Sequence, residues 1–384
     1  MTAPDFDVAV IGAGPAGSTA ALAMLNSGLR VALIDMATFP RDKTCGDAVA
    51  AYVPKVLATI SDEFRAEFEA FSKRQVVHIC RVFAPNGQPL DFKFSESGNI
   101  IKRTELDNFL CGLAQRQKHV TPFFDCRVNS IAFKPNQKIW ELQTASGVLH
   151  AKLIIGCDGA NSVVTRQLSD GRLLQEHHSA AVRAYFTDVE GVNPESFELH
   201  FINELPLGYF WIFPESDGSF NVGLGALSKF ISDKQLNLRE LLQHVVTKHD
   251  SISKRFTKAN RISDVKGFGL PLGSRKIPIS GNAWMLCGDA AHLIDPLTGE
   301  GIGQAMASGR FAGWMAVDCF KKNNFSAEFM KSYDRQVYKK FWAPHRKSYL
   351  MQRYLVPRFT LFNKVFELAH RSPVFRRWLQ RAVL

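Results

Sequence analysis

The sequence lacks any closely spaced cysteine pair. Its seven cysteines, Cys45, Cys80, Cys111, Cys126, Cys157, Cys287 and Cys319, are odd in number and scattered, with no CxxC. That pattern argues against a disulfide framework and against a zinc site, and it fits a reducing compartment. Internal repeats and low-complexity linkers are also missing, which removes solenoids and long disordered tethers from consideration. Acidic residues nearly vanish from residues 339–384, where Glu367 stands alone among eleven Lys and Arg. The formal net charge of +11 therefore belongs to the tail, and the rest of the chain is close to neutral.

Charge is missing altogether from residues 8–29, a run long enough to suggest a membrane span. Gly12, Gly14, Pro15 and Gly17 interrupt it, however, and Asp5 and Asp7 precede it where a signal peptide carries positive charge. We read it as a buried strand, a tight turn and a buried helix, and expect no targeting segment.

What is present describes a globular protein. A chain of 384 residues, 46% apolar and 22% charged, suits one large domain or two interlocked ones. Asp5 to Ile11 reads as the first strand of a parallel sheet, Ser18 to Ser27 as a helix stopped by Gly28, and Arg30 to Asp35 as a second strand. That is the length of a βαβ unit. Residues 47–72 look helical, and residues 76–101 look like antiparallel strands turning at Pro85-Asn86-Gly87. A helix follows near Thr104–Gln117, then strands to Ile155. Strands return over 181–227, a polar helical stretch covers 238–259, and Ala283 to Leu286 is a strand before a long helix.

The fold class expected is α/β. A Rossmann-like unit is assembled from residues 1–75, 102–170 and 276–330. A mostly antiparallel β unit (76–101 and 171–275) is inserted between its pieces, and basic helices (331–384) follow.

Gly12-x-Gly14-x-x-Gly17 follows a predicted strand and opens a helix, the context in which this motif binds a dinucleotide. The first glycine makes the turn, the second lets backbone approach a pyrophosphate, and the third lets helix and strand pack closely. Ala16 lies within the turn, at the helix N-terminus that faces the phosphates. Asp35 ends the second strand, where an acid can accept from a ribose hydroxyl.

Two more segments recur in this setting. Cys157-Asp158-Gly159-Ala160-Asn161-Ser162 follows an apolar strand, and Gly288-Asp289-Ala290-Ala291-His292 leads into Asp295-Pro296-Leu297-Thr298-Gly299-Glu300-Gly301-Ile302. With these the sequence resembles the flavoprotein superfamily that shares the para-hydroxybenzoate hydroxylase fold. The resemblance implies FAD as cofactor, with Asp158, Gly159 and Asp289 near it. It implies that Pro296, Gly299, Gly301 and Ile302 form a turn and helix start pointing at the flavin ring. It also implies that Arg103 contacts the pyrophosphate and that Val128 is a further cofactor contact.

Three features resemble the geranylgeranyl reductase family within that superfamily. They are Arg41-Asp42-Lys43-Thr44-Cys45-Gly46 (RxKxCG), Tyr209-Phe210-Trp211-Ile212-Phe213-Pro214 (YxWxFP), and Pro296-Leu297-Thr298-Gly299-Glu300-Gly301-Ile302. The resemblance spans about residues 5–315. It implies hydride transfer from reduced FAD to carbon–carbon double bonds of an isoprenoid lipid. Tyr209, Trp211, Phe213 and Phe210 would line an apolar channel, and Arg41, Cys45 and Gly46 would lie by the flavin. Arg41 and Lys43 would lower the Cys45 thiol pKa.

His292 departs from that family, because GDAAH is frequent in oxygenases of the same fold. It is read either as a catalytic residue or as a packed histidine. The alternative function is accordingly an FAD monooxygenase, or less readily a halogenase, acting on an apolar or aromatic substrate. No second GxGxxG is present, so NAD(P)H or another external donor would deliver electrons by transient docking.

The tail reads as two amphipathic helices. Leu355, Phe359, Phe362 and Phe366 recur at helical spacing, and Ser372-Pro373 starts the second helix. Two readings stand: peripheral contact with an anionic membrane, or helices packed on the body with solvated arginines. No recognised module accompanies the charge, so a nucleic-acid partner is not expected. The expected location is the cytoplasm, with contact at the inner membrane face on the first reading.

Overall fold

The computed structural model describes residues 4–383. Its first sheet is built on β1 (Phe6–Ile11), whose inner four residues are buried. β1 pairs in parallel with β2 (Val31–Ile34) on one side and with β9 (Gly147–Gly156) on the other, setting Val8 beside both Val31 and Leu153. Apolar runs on every central strand fit a sheet covered on both faces. The order continues outward through β17 (Trp284–Leu286) and β16 (Ser280–Gly281) on one flank and β6 (Val120–Phe123) on the other. β7 (Val128–Lys134) and β8 (Ile139–Thr144) form an antiparallel arm attached to β9.

Helix α1 (Pro15–Leu22) is buried along its whole length, between α4 (Arg103–Gln115) and α8 (Ile302–Lys321). Its contact with α8 depends on small residues. A Cβ added at Gly309 would stand 2.1 Å from the Ala16 carbonyl oxygen, and one at Gly313 would stand 2.5 Å from that of Ala20. The two helices therefore approach backbone to backbone.

The second sheet runs β14 (Asn260–Arg261), β10 (His178–Thr187), β13 (Phe220–Leu227), β12 (Gly208–Pro214), β11 (Ser196–His200), β4 (Gln75–Phe83), β5 (Pro89–Ile100) and β3 (Ala48–Val49). β15 (Lys266–Pro271) adds to β10. All pairings are antiparallel except β11 with β4. Its two faces differ because side chains alternate along each strand. Phe210, Ile212, Val222 and Leu224 form a core with Leu242 and Val245 of α7 (Leu238–Lys248). Tyr209, Trp211 and Phe213 occupy the other face with Phe197 and Leu199.

The remaining helices are α2 (Val53–Ala58), α3 (Asp62–Ala70), α5 (Val163–Leu168), α6 (Ser228–Asp233), α9 (Ala327–Leu350), α10 (Phe359–Arg371) and α11 (Pro373–Val383). Phe362, Phe366, Ala369 and Leu379 of the last two pack on Cys80, Val82, Leu90 and Phe92 of the second sheet.

Three local expectations change. Residues 47–72 are not one helix: Ala48 and Val49 pair with Ile100 and Asn99, and α3 begins anew where Ser61 caps Glu63. Helix α1 ends at Leu22, because Asn26 turns left-handed (φ +59°) before Gly28. The polar stretch after 238 is helical only to Lys248 and ends in a short 3-10 turn over Ser253–Phe256.

Candidate functional site

The glycines of the first loop are required by close backbone approach. Gly12 takes φ +98°, and a Cβ there would lie 2.3 Å from the Cys157 carbonyl oxygen. A Cβ on Gly17 would lie 1.7 Å from the Gly12 carbonyl oxygen. Gly14 faces charge: a Cβ there would come 3.3 Å from Arg41 Nη2 and 3.9 Å from Arg103 Nη2. Two guanidinium groups thus converge on the N-terminus of α1, where the helix dipole also favours an anion.

What holds the arginines is a residue the sequence did not single out. Asp107, fully buried on α4, accepts two hydrogen bonds from Arg103 at 2.7 Å each and lies 3.0 Å from Arg41 Nη1. Arg103 itself is buried rather than a solvated helix-start charge. The i, i+4 spacing of Arg103 and Asp107 was the available signal.

Asp35 organises the same loop from the end of β2. Its Oδ2 accepts from Ala13 N–H at 2.8 Å and its Oδ1 from Ala37 N–H at 3.0 Å. Each oxygen keeps a further lone pair for a ligand hydroxyl. Cys126 N–H donates to the Asp35 carbonyl at 2.9 Å, which carries Val128 to this end of the sheet.

The other two loops meet beside the first. Asp158 Oδ2 caps α5 by accepting from Val163 N–H at 2.6 Å. Its Oδ1 is buried with no hydrogen-bond partner among the described residues, an acceptor free for a ligand. Burial raises the Asp158 pKa. Gly159 takes φ +75° with open space where a Cβ would be. Asp289 binds Lys43 Nζ at 2.9 Å, joining the RxKxCG segment to the second loop.

Asp295 folds the turn ahead of α8, its Oδ1 accepting from the N–H groups of Leu297 and Thr298 at 2.9 Å. Pro296 is buried, Gly299 takes φ +71°, and Gly301 is the N-cap from which Ile302 starts α8. Glu300 is pushed up to about 7 by burial and by the nearby Asp295.

The apolar face abuts this turn. Tyr209 Oη donates to the Thr298 carbonyl, and the Tyr209, Trp211 and Phe213 rings follow one another at centroid spacings of 6.0 and 6.1 Å. A Cβ on Gly46 would meet the Phe213 ring at 3.2 Å and Trp211 at 3.7 Å, so the Cys45 loop packs tightly on this face.

Two expectations are corrected here, and His292 fits the packed one of its two readings. Phe210 does not share that face: it is buried on the opposite side, 5.7 Å from His200 and 6.4 Å from Phe256. The Cys45 thiol is not activated by Arg41 and Lys43. Burial pushes its pKa up and outweighs Arg103 and, more weakly, Lys43, which oppose it, while Arg41 is bound to Asp107. His292 is buried with φ +53°. Burial and nearby Arg275 bring its pKa down to about 4, so it is a neutral packed imidazole near pH 7.

Residues 5–339 match the FAD binding domain family. Menaquinone reductase of Mycobacterium tuberculosis is 32% identical over 80% of this chain and 75% of its own. A digeranylgeranylglycerophospholipid reductase of Methanosarcina acetivorans is 30% identical over 88% of this chain and 80% of its own. Among solved structures, a geranylgeranyl bacteriochlorophyll reductase-like protein from Thermoplasma acidophilum superposes with a TM-score of 0.82 at 24% identity. It covers 94% of this chain and 90% of its own. Halogenase PltM in complex with phloroglucinol and FAD gives 0.76 at 16% identity, covering 96% of this chain and 80% of its own, a likeness of fold alone. The glycine loops, the paired arginines and the matched relatives agree: this chain belongs to the FAD binding domain family and, within it, to the geranylgeranyl reductase family of FAD-dependent oxidoreductases.

Proposed function

We propose that this enzyme saturates carbon–carbon double bonds in the isoprenoid chain of a lipid. The observation that carries the reading is the Tyr209–Trp211–Phe213 face, set against Gly46 on one side and tied to Thr298 on the other. A ring-lined surface with few polar groups suits an alkene chain and excludes water from it.

The chain fits FAD: the loop at Gly12 has no room for a side chain, and Asp158 Oδ1 is an orphaned acceptor. Bound FAD supplies hydride chemistry. Gly12, Gly14, Ala16 and Gly17 with Arg41 and Arg103 hold the pyrophosphate, and Asp35 and Val128 lie at the adenosine end. Asp158, Gly159 and Asp289 take the ribityl chain. The N-terminus of α8 at Gly301 and Ile302, with Pro296 and Gly299 shaping the turn before it, places partial positive charge at the flavin ring.

Tyr209 and Trp211 orient the alkene. Reduction also needs a proton. Burial keeps the Cys45 thiol protonated, and Arg103 stabilises the thiolate left after Sγ–H is donated. His292 supports the turn and carries no proton in the reaction. Reducing equivalents come from NAD(P)H or another external donor.

The lipid is met at a membrane surface. α10 presents Leu361 and Leu368 beside Lys364 and Arg371, and α11 presents Val374 (68% exposed) and Trp378 (61%) beside Arg376 and Arg377. An apolar and basic exposed face of this kind binds anionic bilayers. No helix among the described residues is long and apolar enough to cross a membrane.

Anaerobically reduced, FAD-loaded protein is expected to add two hydrogens per double bond to a geranylgeranyl lipid, read by mass spectrometry. No mass gain across a prenyl panel, with an oxygenated aromatic product formed in air, would overturn the reading. Leu368→Glu with Trp378→Glu should lower sedimentation with anionic vesicles severalfold, and unchanged sedimentation removes the membrane contact.

A further inference from the structure

A buried polar cluster lies between the Cys45 loop and the second sheet, and nothing in the reaction described above uses it. Asp47, fully buried and left-handed (φ +66°), directly follows Cys45-Gly46. Its carboxylate is divided among three separate parts of the fold. Oδ1 accepts from the backbone N–H of Arg103, the first residue of α4, at 3.3 Å. Oδ2 accepts from Tyr185 Oη on β10 and from Asn221 Nδ2 on β13, each at 2.7 Å. Asn221 extends the network, because its Nδ2 also donates to the Cys45 carbonyl at 2.8 Å and its Oδ1 accepts from Trp211 Nε1 at 2.9 Å. One carboxylate therefore links the cysteine loop, the helix that carries Arg103 and Asp107, and the strand that carries Trp211.

A second carboxyl lies on the same side: Glu215 is two residues beyond Phe213, which pairs with Asn221, the residue bound to Asp47, and whose ring faces Gly46. Glu215 follows β12, is 4% exposed, and its Oε1 meets no hydrogen-bond partner among the described residues. Burial and the neighbouring Asp47 push Glu215 well above the usual carboxylate range. Burial raises Asp47 too, against the opposing pull of Tyr185, Asn221 and Arg183. Two carboxylates in contact in a dry place do not both ionise near neutral pH.

We propose that Asp47 and Glu215 share one proton and act as a positioning pair, holding the Cys45 loop, the start of α4 and the Trp211 strand in register. The charged groups facing the pair fit a single negative charge. Arg183 of β10 is 1% exposed, lies over the Tyr185 ring at 4.3 Å, and is bound to Asp42 at 2.7 Å. Lys102, just before α4, is engaged by Asp217, itself near Glu215. Arg103 is held by Asp107, and the Cys45 thiol is protonated. Arg183 shares Asp42 with Lys266 and its Nε meets no hydrogen-bond partner among the described residues, so these groups leave one positive charge for the pair and none for a second negative one. Removing the shared proton at alkaline pH therefore drives the two carboxyls apart, and with them the loop and the strand. This goes beyond the choice of substrate, so its test uses the FAD-loaded protein without substrate.

Infrared difference spectra, wild type minus E215Q at neutral pH, should show the carbonyl stretch of a protonated carboxylic acid. On raising the pH, the wild type loses that band and shifts its visible flavin spectrum over the same interval. E215Q keeps the volume and a hydrogen-bond donor but has no proton to lose, so its flavin spectrum stays constant there. D47N should show the shifted spectrum already at neutral pH. If E215Q does not fold, wild type labelled with carbon-13 glutamate gives the same infrared reading. Absence of the acid band, or an equal flavin shift in E215Q, overturns the proposal.

Discussion

Replacing Gly309 with alanine removes a poor helix former from the interior of a 20-residue helix, yet the protein should be harmed by it. On helix propensity alone the change stabilises by about 1 kcal/mol. Against that stands the added methyl, 2.1 Å from the Ala16 carbonyl oxygen and 3.2 Å from Ala16 Cα. The obstacle is backbone on a fully buried helix, so no side chain can swing clear. Reaching ordinary contact requires α1 and α8 to separate by about 1 Å, and such overpacking costs roughly 1–3 kcal/mol. The obstacle is backbone, which puts the cost toward the upper end of that range, so strain exceeds propensity and we expect a net loss of up to about 2 kcal/mol. The same separation moves the N-terminus of α1 relative to that of α8, and these are the two ends proposed to hold FAD. If misaligning the two ends costs about 1.4 kcal/mol of binding, the FAD dissociation constant rises roughly tenfold. Chemical unfolding of the apoprotein and fluorescence titration with FAD measure the two effects. An alanine variant that is more stable than wild type and binds FAD unchanged would refute the close-contact argument.

Two further outcomes follow from buried charge. Asp107→Asn leaves the buried Arg103 without its bidentate partner, so the apoprotein should lose about 3–5 kcal/mol in denaturant unfolding. FAD should then stabilise this variant more than wild type, and equal stabilisation would separate the arginines from the phosphates. His292 has a folded pKa of about 4 against an ordinary 6.5, so the unfolded chain binds more protons below pH 6.5. Stability from this group is complete above 6.5 and falls as pH drops through 4, by about 3 kcal/mol in total. His292→Asn, whose side chain tolerates the left-handed backbone, should flatten stability against pH between 6.5 and 4. An unchanged slope would place the acid sensitivity elsewhere.

The parts of the site legible in the sequence are those whose chemistry is local. The Gly12 loop, the Asp158 and Asp289 turns and the YxWxFP strand each carry their geometry within a few residues. Roles that depend on distant partners were not legible. Asp107 is an unremarkable helix residue until Arg41 arrives from another segment, and Asn221 matters only because Cys45 and Trp211 flank it in space. Phe210 was placed with its neighbours by composition, whereas strand alternation sends it to the far face. Cys45 was judged by the charges beside it in sequence. Arg41 is spent on Asp107, Lys43 lowers the thiol pKa only weakly, and burial outweighs it in deciding the protonation.

The contact between Gly12 and the Cys157 carbonyl bears on how the protein is made. The phosphate loop is shaped by backbone nearly 150 residues downstream. The parallel partner of that backbone, β17, begins at Trp284, and α8 starts later still, at Ile302. A chain emerging from the ribosome therefore has no complete cradle until the start of α8 is exposed. FAD capture in consequence follows the synthesis of α8, and it reports that segments far apart in the chain have come together.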